Sequence, residues 1–295
     1  IAASRTQTGD WQGFDDYAES VELLTKLRSP AAIFALINYA GARLAYGDLR
    51  GAFELQARGR ALARELGERR TAAWLHAEQI WEHYWQGRWD EALRLADEVI
   101  ETEGAGAGAT EYMEIPARLA RARILAERER EADAAEDVER ALAQALEIGE
   151  VQVALPALGL RARLRRERDP AAAEADIADA LERVRGKEAW AGFAWADIGV
   201  VLAVLELPFP DVAASSRWIE AARSLEQDPA GAAELYREIG SRPDEAYARL
   251  RAARLLLAEG RSEEAAPHVK AALDFYRSVD ATARVAAAET LLTSA

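Results

Sequence analysis

Gly47-Asp-Leu-Arg-Gly-Ala52, Gly87-Arg-Trp-Asp-Glu-Ala92 and Gly260-Arg-Ser-Glu-Glu-Ala265 share one form, a Gly followed five residues later by Ala. The first two stand forty positions apart, each between two long runs of helix-forming residues. That pattern predicts a helix, a tight corner and a second helix, repeated along the chain. Gly ends the first helix because, without a Cβ, it accepts the left-handed backbone of a helix C-terminus. Asp48, Asp90 and Glu263 then fall in the first turn of the second helix, where the dipole favours negative charge. The small Ala lets the two backbones approach.

Outward from these corners the periodicity persists. Ala52, Leu55, Gly59, Leu62 and Leu66, and likewise Ala265, Val269, Ala272 and Tyr276, recur in steps of three and four, which places one apolar stripe on each second helix. Degenerate corners are read at Glu129 with Ala134, Arg168 with Ala173 and Pro208 with Ala213. Ser29-Pro30, Asp169-Pro170 and Asp228-Pro229 each set a capping side chain before a proline at the expected first helical position. The Gly/Ala run over 104–109 reads as a loop, and a short inserted helix is expected at about 230–239. The whole chain, 1–295, is thus read as a single all-α domain. It is a right-handed superhelical solenoid of six or seven hairpins in which each pair buries the next and leaves a long curved wall.

Composition agrees. The apolar half of the chain is dominated by Ala and Leu, and runs of Val, Ile and Thr are nearly absent. A net charge of −14 repels the phosphates of nucleic acids and anionic lipids, so neither is expected as a partner. The chain has no cysteine, which excludes a disulfide framework, a thiolate metal site and a cysteine nucleophile, and is compatible with a reducing, cytoplasmic location. Ile1–Asp10 has no apolar core of the signal-peptide kind, and the missing initiator Met suggests an excised fragment. Trp190–Phe209 approaches spanning length, but Asp197 in its middle and Pro208 and Pro210 at its end favour a buried helix.

The corners resemble those of the tetratricopeptide family, Gly87-Arg88-Trp89-Asp90-Glu91-Ala92 most closely; the forty-residue step implies helices longer than that family's consensus. Residues 228–295 carry a second resemblance. Ala232-Ala-Glu-Leu-Tyr-Arg-Glu-Ile-Gly240, Pro243-Asp-Glu-Ala-Tyr-Ala-Arg-Leu250 and Phe275-Tyr-Arg-Ser-Val-Asp-Ala-Thr282 are similar to the C-terminal tails of large actinobacterial signalling proteins. There a cyclase-homology or DNA-binding domain and a P-loop ATPase module precede helical repeats. Asp280 stands where such tails more often have Gly. The resemblance implies a regulatory or scaffolding segment serving upstream domains of the same chain.

Chemistry is harder to find. No G-x-x-x-x-G-K-[ST] occurs, and Gly104-Ala-Gly-Ala-Gly108 lacks the strand and later glycine of a dinucleotide loop. His76 and His83, read on one helix face, would stand about 10 Å apart, too far to share an ion. No catalytic constellation, metal site or cofactor site is therefore expected.

Two clusters suit binding. Trp74, Trp81, Tyr84 and Trp85 share one side of the first helix of the Gly87 hairpin, and the tetratricopeptide resemblance implies that they face the concave groove. Packing between hairpins is the competing reading. Arg161, Arg163, Arg165, Arg166 and Arg168 would meet Arg118, Arg121 and Arg123 if equivalent helices stack, making a stripe that could receive a carboxylate or acidic peptide. Here the competing reading is a solvated face neutralised by Glu. The function expected is non-catalytic protein binding or regulation. The alternative is a small-molecule sensor acting on an upstream module.

Overall fold

The computed structural model describes residues 1–104 and 111–294; the 104–109 loop, with its glycines, lies mostly outside them. Every regular element among the described residues is helical. In chain order these are α1 (Ala2–Gln7), α2 (Gly13–Lys26), α3 (Ala31–Tyr46), α4 (Leu49–Glu65), α5 (Arg69–Ala77), α6 (Gln79–Trp85), α7 (Trp89–Gly104), α8 (Glu114–Glu127) and α9 (Glu131–Ile148). They continue with α10 (Val151–Arg165), α11 (Pro170–Val184), α12 (Ala194–Val204), α13 (Arg217–Ser224), α14 (Pro229–Ile239), α15 (Arg242–Ala258), α16 (Ser262–Ser278) and α17 (Thr282–Ser294). Short 3₁₀ turns occupy Glu111–Met113 and Glu188–Ala191.

The quoted corners lie between paired helices: α3/α4, α6/α7 and α15/α16. Gly47 and Gly87 are left-handed, with φ of 98° and 76°. A Cβ on Gly47 would stand 2.9 Å from Arg217 Cβ, and one on Gly87 would stand 3.1 Å from the Phe275 ring. The glycines thus serve a second purpose that the corner motif alone does not reveal, because later helices lie against them. Glu129 takes the same left-handed backbone, φ 60°, between α8 and α9, and Asp280 does so at φ 54°. Arg168 does not; there the Asp169 side chain accepts from Ala172 N at 3.1 Å and starts α11. Asp48 and Asp228 cap α4 and α14 in the same way, at 3.0 and 2.9 Å.

Several expectations are corrected. Pro208–Ala213 is not a corner but part of an irregular run, 207–216, where two closely spaced prolines withhold backbone donors and disfavour helix in the residues before them. The Trp190–Phe209 stretch does hold the buried helix expected of it, but only as the eleven-residue α12 preceded by Gly192 at φ 49°, and no described helix is long and apolar enough to cross a membrane. The first helix of the Gly87 hairpin is two helices, broken at Glu78, so His76 and Trp74 belong to α5 while His83 and the other aromatics belong to α6. Pro30 stands just before α3 rather than inside it.

Sequence neighbours pack together throughout, most extensively α3 on α4, α8 on α9, α10 on α11 and α15 on α16. Packing also goes beyond neighbours. Trp218 Nε1 of α13 donates to Leu44 O at 2.8 Å, Arg128 Nη2 to Val279 O at 2.9 Å, and Arg242 Nη1 to Gln86 O at 2.8 Å. The C-terminal helices therefore cover the row of corners made by the front hairpins. One apolar cluster runs from Leu49 to Ala288, with smaller clusters around Tyr17, Leu36 and Tyr39 and around Ile33, Ala63 and Leu75. Helix pairs thus touch their neighbours in the chain and, in places, later pairs as well.

Candidate functional site

Asp197, the charge that interrupts the apolar α12 stretch, is fully buried, and burial of a carboxylate demands partners. It has two. Arg123 of α8 grips it with both terminal nitrogens, Nη1 at 3.0 Å, and Arg163 of α10 donates Nη1 at 3.0 Å. Arg123 and Arg163 are forty positions apart, so the repeat delivers two guanidiniums from equivalent helices to one carboxylate.

The seam continues from there. Arg163 lies 3.8 Å from Asp244 at the start of α15 and 3.8 Å from Glu127. Asp244 accepts Ser241 Oγ at 2.6 Å, and Glu127 is held by Arg284 of α17 at 2.6 and 3.1 Å. Aromatic rings wall it: the Arg123 guanidinium lies 5.7 Å from the Trp81 ring, 5.9 Å from Tyr84 and 5.8 Å from Phe193, and Arg163 lies 5.1 Å from Tyr247. Burial raises the Asp244 carboxyl above its ordinary range, against the pull of Arg163. Burial works the same way on Glu127, but Arg284, Arg163 and Arg166 together outweigh it and the carboxyl falls below its ordinary range. Burial also pushes up the Tyr84, Tyr236 and Tyr276 hydroxyls. Among the described residues, Arg123 Nε and Tyr236 OH have no hydrogen-bond partner.

The other predicted arginines form a second kind of contact. Arg121 of α8 clasps Asp137 of α9 through Nε and Nη2, both at 2.7 Å, and Arg161 of α10 clasps Asp176 of α11 through the same atoms at 3.0 and 2.6 Å. Arg118 is buried and adds 2.8 Å to Asp137, while Arg165 lies 3.5 Å from Asp176. These pairs tie the two helices of each hairpin together. Glutamates take part as well, as the competing reading expected: Arg118 also pairs with Glu114 at 2.6 Å, and the half-exposed Glu139 accepts from Arg161 at 3.1 Å and pairs with Arg165.

The aromatic set divides. Trp81, Tyr84 and Trp85 are buried, with Trp81 4.7 Å from the Phe193 ring, Tyr84 stacked on Trp89 at 5.9 Å and Trp85 6.2 Å from Trp218. Trp74 is only partly buried and stacks on Tyr112 at 5.3 Å. Beside it Glu78, at the helix break, accepts Gln56 Nε2 at 3.0 Å, and burial lifts its carboxyl to about 7, against the Gln56 and Trp74 hydrogen bonds. Arg88 Nε donates to His83 Nδ1 at 2.8 Å, and burial, then Arg88, lowers the His83 pKa.

The structure thus brings Trp81, Tyr84 and Arg123 together with Arg163, and sets Arg118, Arg121, Arg161 and Arg165 in a separate row of clasps. Sequence reasoning missed Asp244, Glu127, Arg284 and Tyr236 as members of the seam. Asp197 alone carried a signal, as a charge inside an apolar run. No family model matches the chain, and no curated protein matches it.

Proposed function

We propose that the chain is a tetratricopeptide-like solenoid serving as a non-catalytic, protein-binding regulatory segment of a larger cytoplasmic signalling or transcription-regulatory protein. The observation that carries this reading is the clasp copied at the repeat step, Arg121–Asp137 and Arg161–Asp176, which joins the two helices within each of two successive hairpins. A copied structural bond supports a repeated unit, and repeated helical units commonly act by presenting surface. The seam's arginines and rings are engaged by the chain's own residues, so a partner would use the outer helices and the ends. The test is quantitative capture with the immobilised chain, followed by hydrogen exchange with each purified binder. A stoichiometric partner that protects amides on outer helices supports the reading, and its absence across hosts counts against it.

A second reading, a small-molecule sensor, is favoured by Arg123 Nε and Tyr236 OH, both buried, without a hydrogen-bond partner among the described residues, and under the influence of the Arg163 charge. A carboxylate or phosphate metabolite would find donors there. Such a ligand would raise the melting temperature in proportion to the logarithm of its concentration above Kd.

A further inference from the structure

Four large apolar side chains within the first 38 positions remain exposed: Ile1, Leu23 (56%), Leu27 (67%) and Phe34 (61%). They are not scattered. Leu23 and Leu24 at the end of α2 stand four and three positions before Leu27, just past it, and Ala31, Phe34, Ala35 and Asn38 recur in such steps along α3, so the end of α2 and the start of α3 present one apolar strip. Between them lies an open cleft of about 630 Å³, lined by Leu23, Leu24, Ala31 and Ala35 and closed at one end by Ile1–Ala3.

The rim is acidic. Asp15, Asp16, Glu19 and Glu22 stand on α2; Asp16 pairs with Arg5 at 3.1 Å and Glu22 with Lys26 at 2.6 Å. Asp15 and Glu19 form no ion pair among the described residues. A second copy of this chain would bring the same unpaired acids face to face, on top of the mutual repulsion of two molecules of charge −14. The cleft therefore favours a partner of opposite charge. Its length matches too: α2 has 14 residues, about 20 Å at helical rise, or roughly four turns.

We propose that this cleft docks an amphipathic helix of a partner protein, with apolar anchors at i, i+3, i+4 and i+7 entering between α2 and α3 and Lys or Arg on its flanks facing Asp15 and Glu19. The inference rests on the protein-binding reading and adds the place and chemistry of the partner.

The experiment uses the full chain and two fluorescent 18-residue synthetic helices, one of leucine and lysine and one of leucine and glutamate, with anisotropy read at about 0.15 M salt to suppress long-range attraction. The lysine helix binds and the glutamate helix does not. The double variant Leu23→Ser, Phe34→Ser weakens binding about tenfold, as does Glu19→Lys, whereas Leu255→Ser with Leu292→Ser, exposed at the other end of the chain, leaves it unchanged. All these side chains are exposed, so circular dichroism melts stay close to wild type. Three results overturn the proposal: no binding of the lysine helix, equal binding by the Leu23/Phe34 double variant, or a dimer in sedimentation that Leu23→Ser dissolves. A partner captured elsewhere on the chain would leave the protein-binding reading standing while these results removed the cleft.

Discussion

The interior seam and the N-terminal hairpin solve opposite problems. Between α8, α10, α12 and α15, charge is taken out of water and must be matched, so Asp197, Arg123 and Arg163 are buried together at 0%, 5% and 8% exposure. Around α2 and α3, apolar surface stays in water although Leu23, Leu27 and Phe34 have every reason to leave it. The contrast separates what holds the molecule from what it offers. Buried charges cost several kcal/mol each to desolvate and return it only when geometry is good, so the seam specifies which helices meet more than it adds net stability. The side chains of Leu23, Leu27 and Phe34, being mostly exposed, add little to this fold.

The largest test of that contrast is Asp197→Ala. It leaves two guanidiniums buried without their carboxylate and is expected to cost about 3–5 kcal/mol in chemical denaturation. A loss below about 1 kcal/mol would mean that water reaches the seam. Gly199→Ala on the same helix is next: the added Cβ would lie 2.8–3.0 Å from Ala222, including its backbone, and we expect a loss of about 1–3 kcal/mol as α12 and α13 separate.

Glu78 lies between the two regions and sharpens the comparison through pH. Its carboxyl is raised from an ordinary 4.5 to about 7, so the folded chain holds this proton more tightly than the unfolded one. Its contribution is full below about pH 4.5 and is lost as pH rises to about 7. Gln56, Trp74 and Tyr112 are the groups that act on it, and Glu78→Gln keeps the side chain's size and a hydrogen-bond acceptor while removing the titration. That variant is expected to melt higher than wild type at pH 8, by about 1–3 kcal/mol of stability, and to match it near pH 4.5. Equal pH dependence in the two proteins would remove Glu78 as the cause.

Smaller effects follow at helix ends and at the cleft. Asp228→Ala removes the cap of α14 and should cost about 1 kcal/mol. Leu27→Ser, at the exposed strip, should change stability by no more than about 0.5 kcal/mol. A larger loss there would show that the strip is covered in solution.

Much of the local structure was legible before any coordinates. Gly47, Gly87 and Gly260 end helices, Asp169 and Asp228 begin them, Ala230–Ile239 is helical, and even Glu129 takes the corner conformation that a missing Gly would otherwise supply. These are properties of a few neighbouring residues, and backbone sterics and capping act over that range. Even so, the break at Glu78 escaped notice, because nothing in a run of good helix formers marks where a helix will be interrupted by a side chain reaching to another one.

The site was less legible for a related reason. Arg121 and Arg161 were visible as a repeated pair of charges, yet their aspartates lie on the next helix and are recognisable only once the hairpin is closed. Trp81, Tyr84 and Trp85 were read as either groove or packing, and the structure decides for packing, with Phe193, and Trp218 of α13, against the rings and Asp197 of α12 against Arg123. The amino-acid sequence by itself determined the helices, their corners and the presence of one charge, Asp197, that could not stay unpaired in apolar surroundings. Only the tertiary structure decided that Arg123, Arg163 and the chain's own C-terminal helices would answer it. That choice depends on contacts between residues 34 to 157 positions apart, and no local rule of backbone or periodicity reaches across such separations.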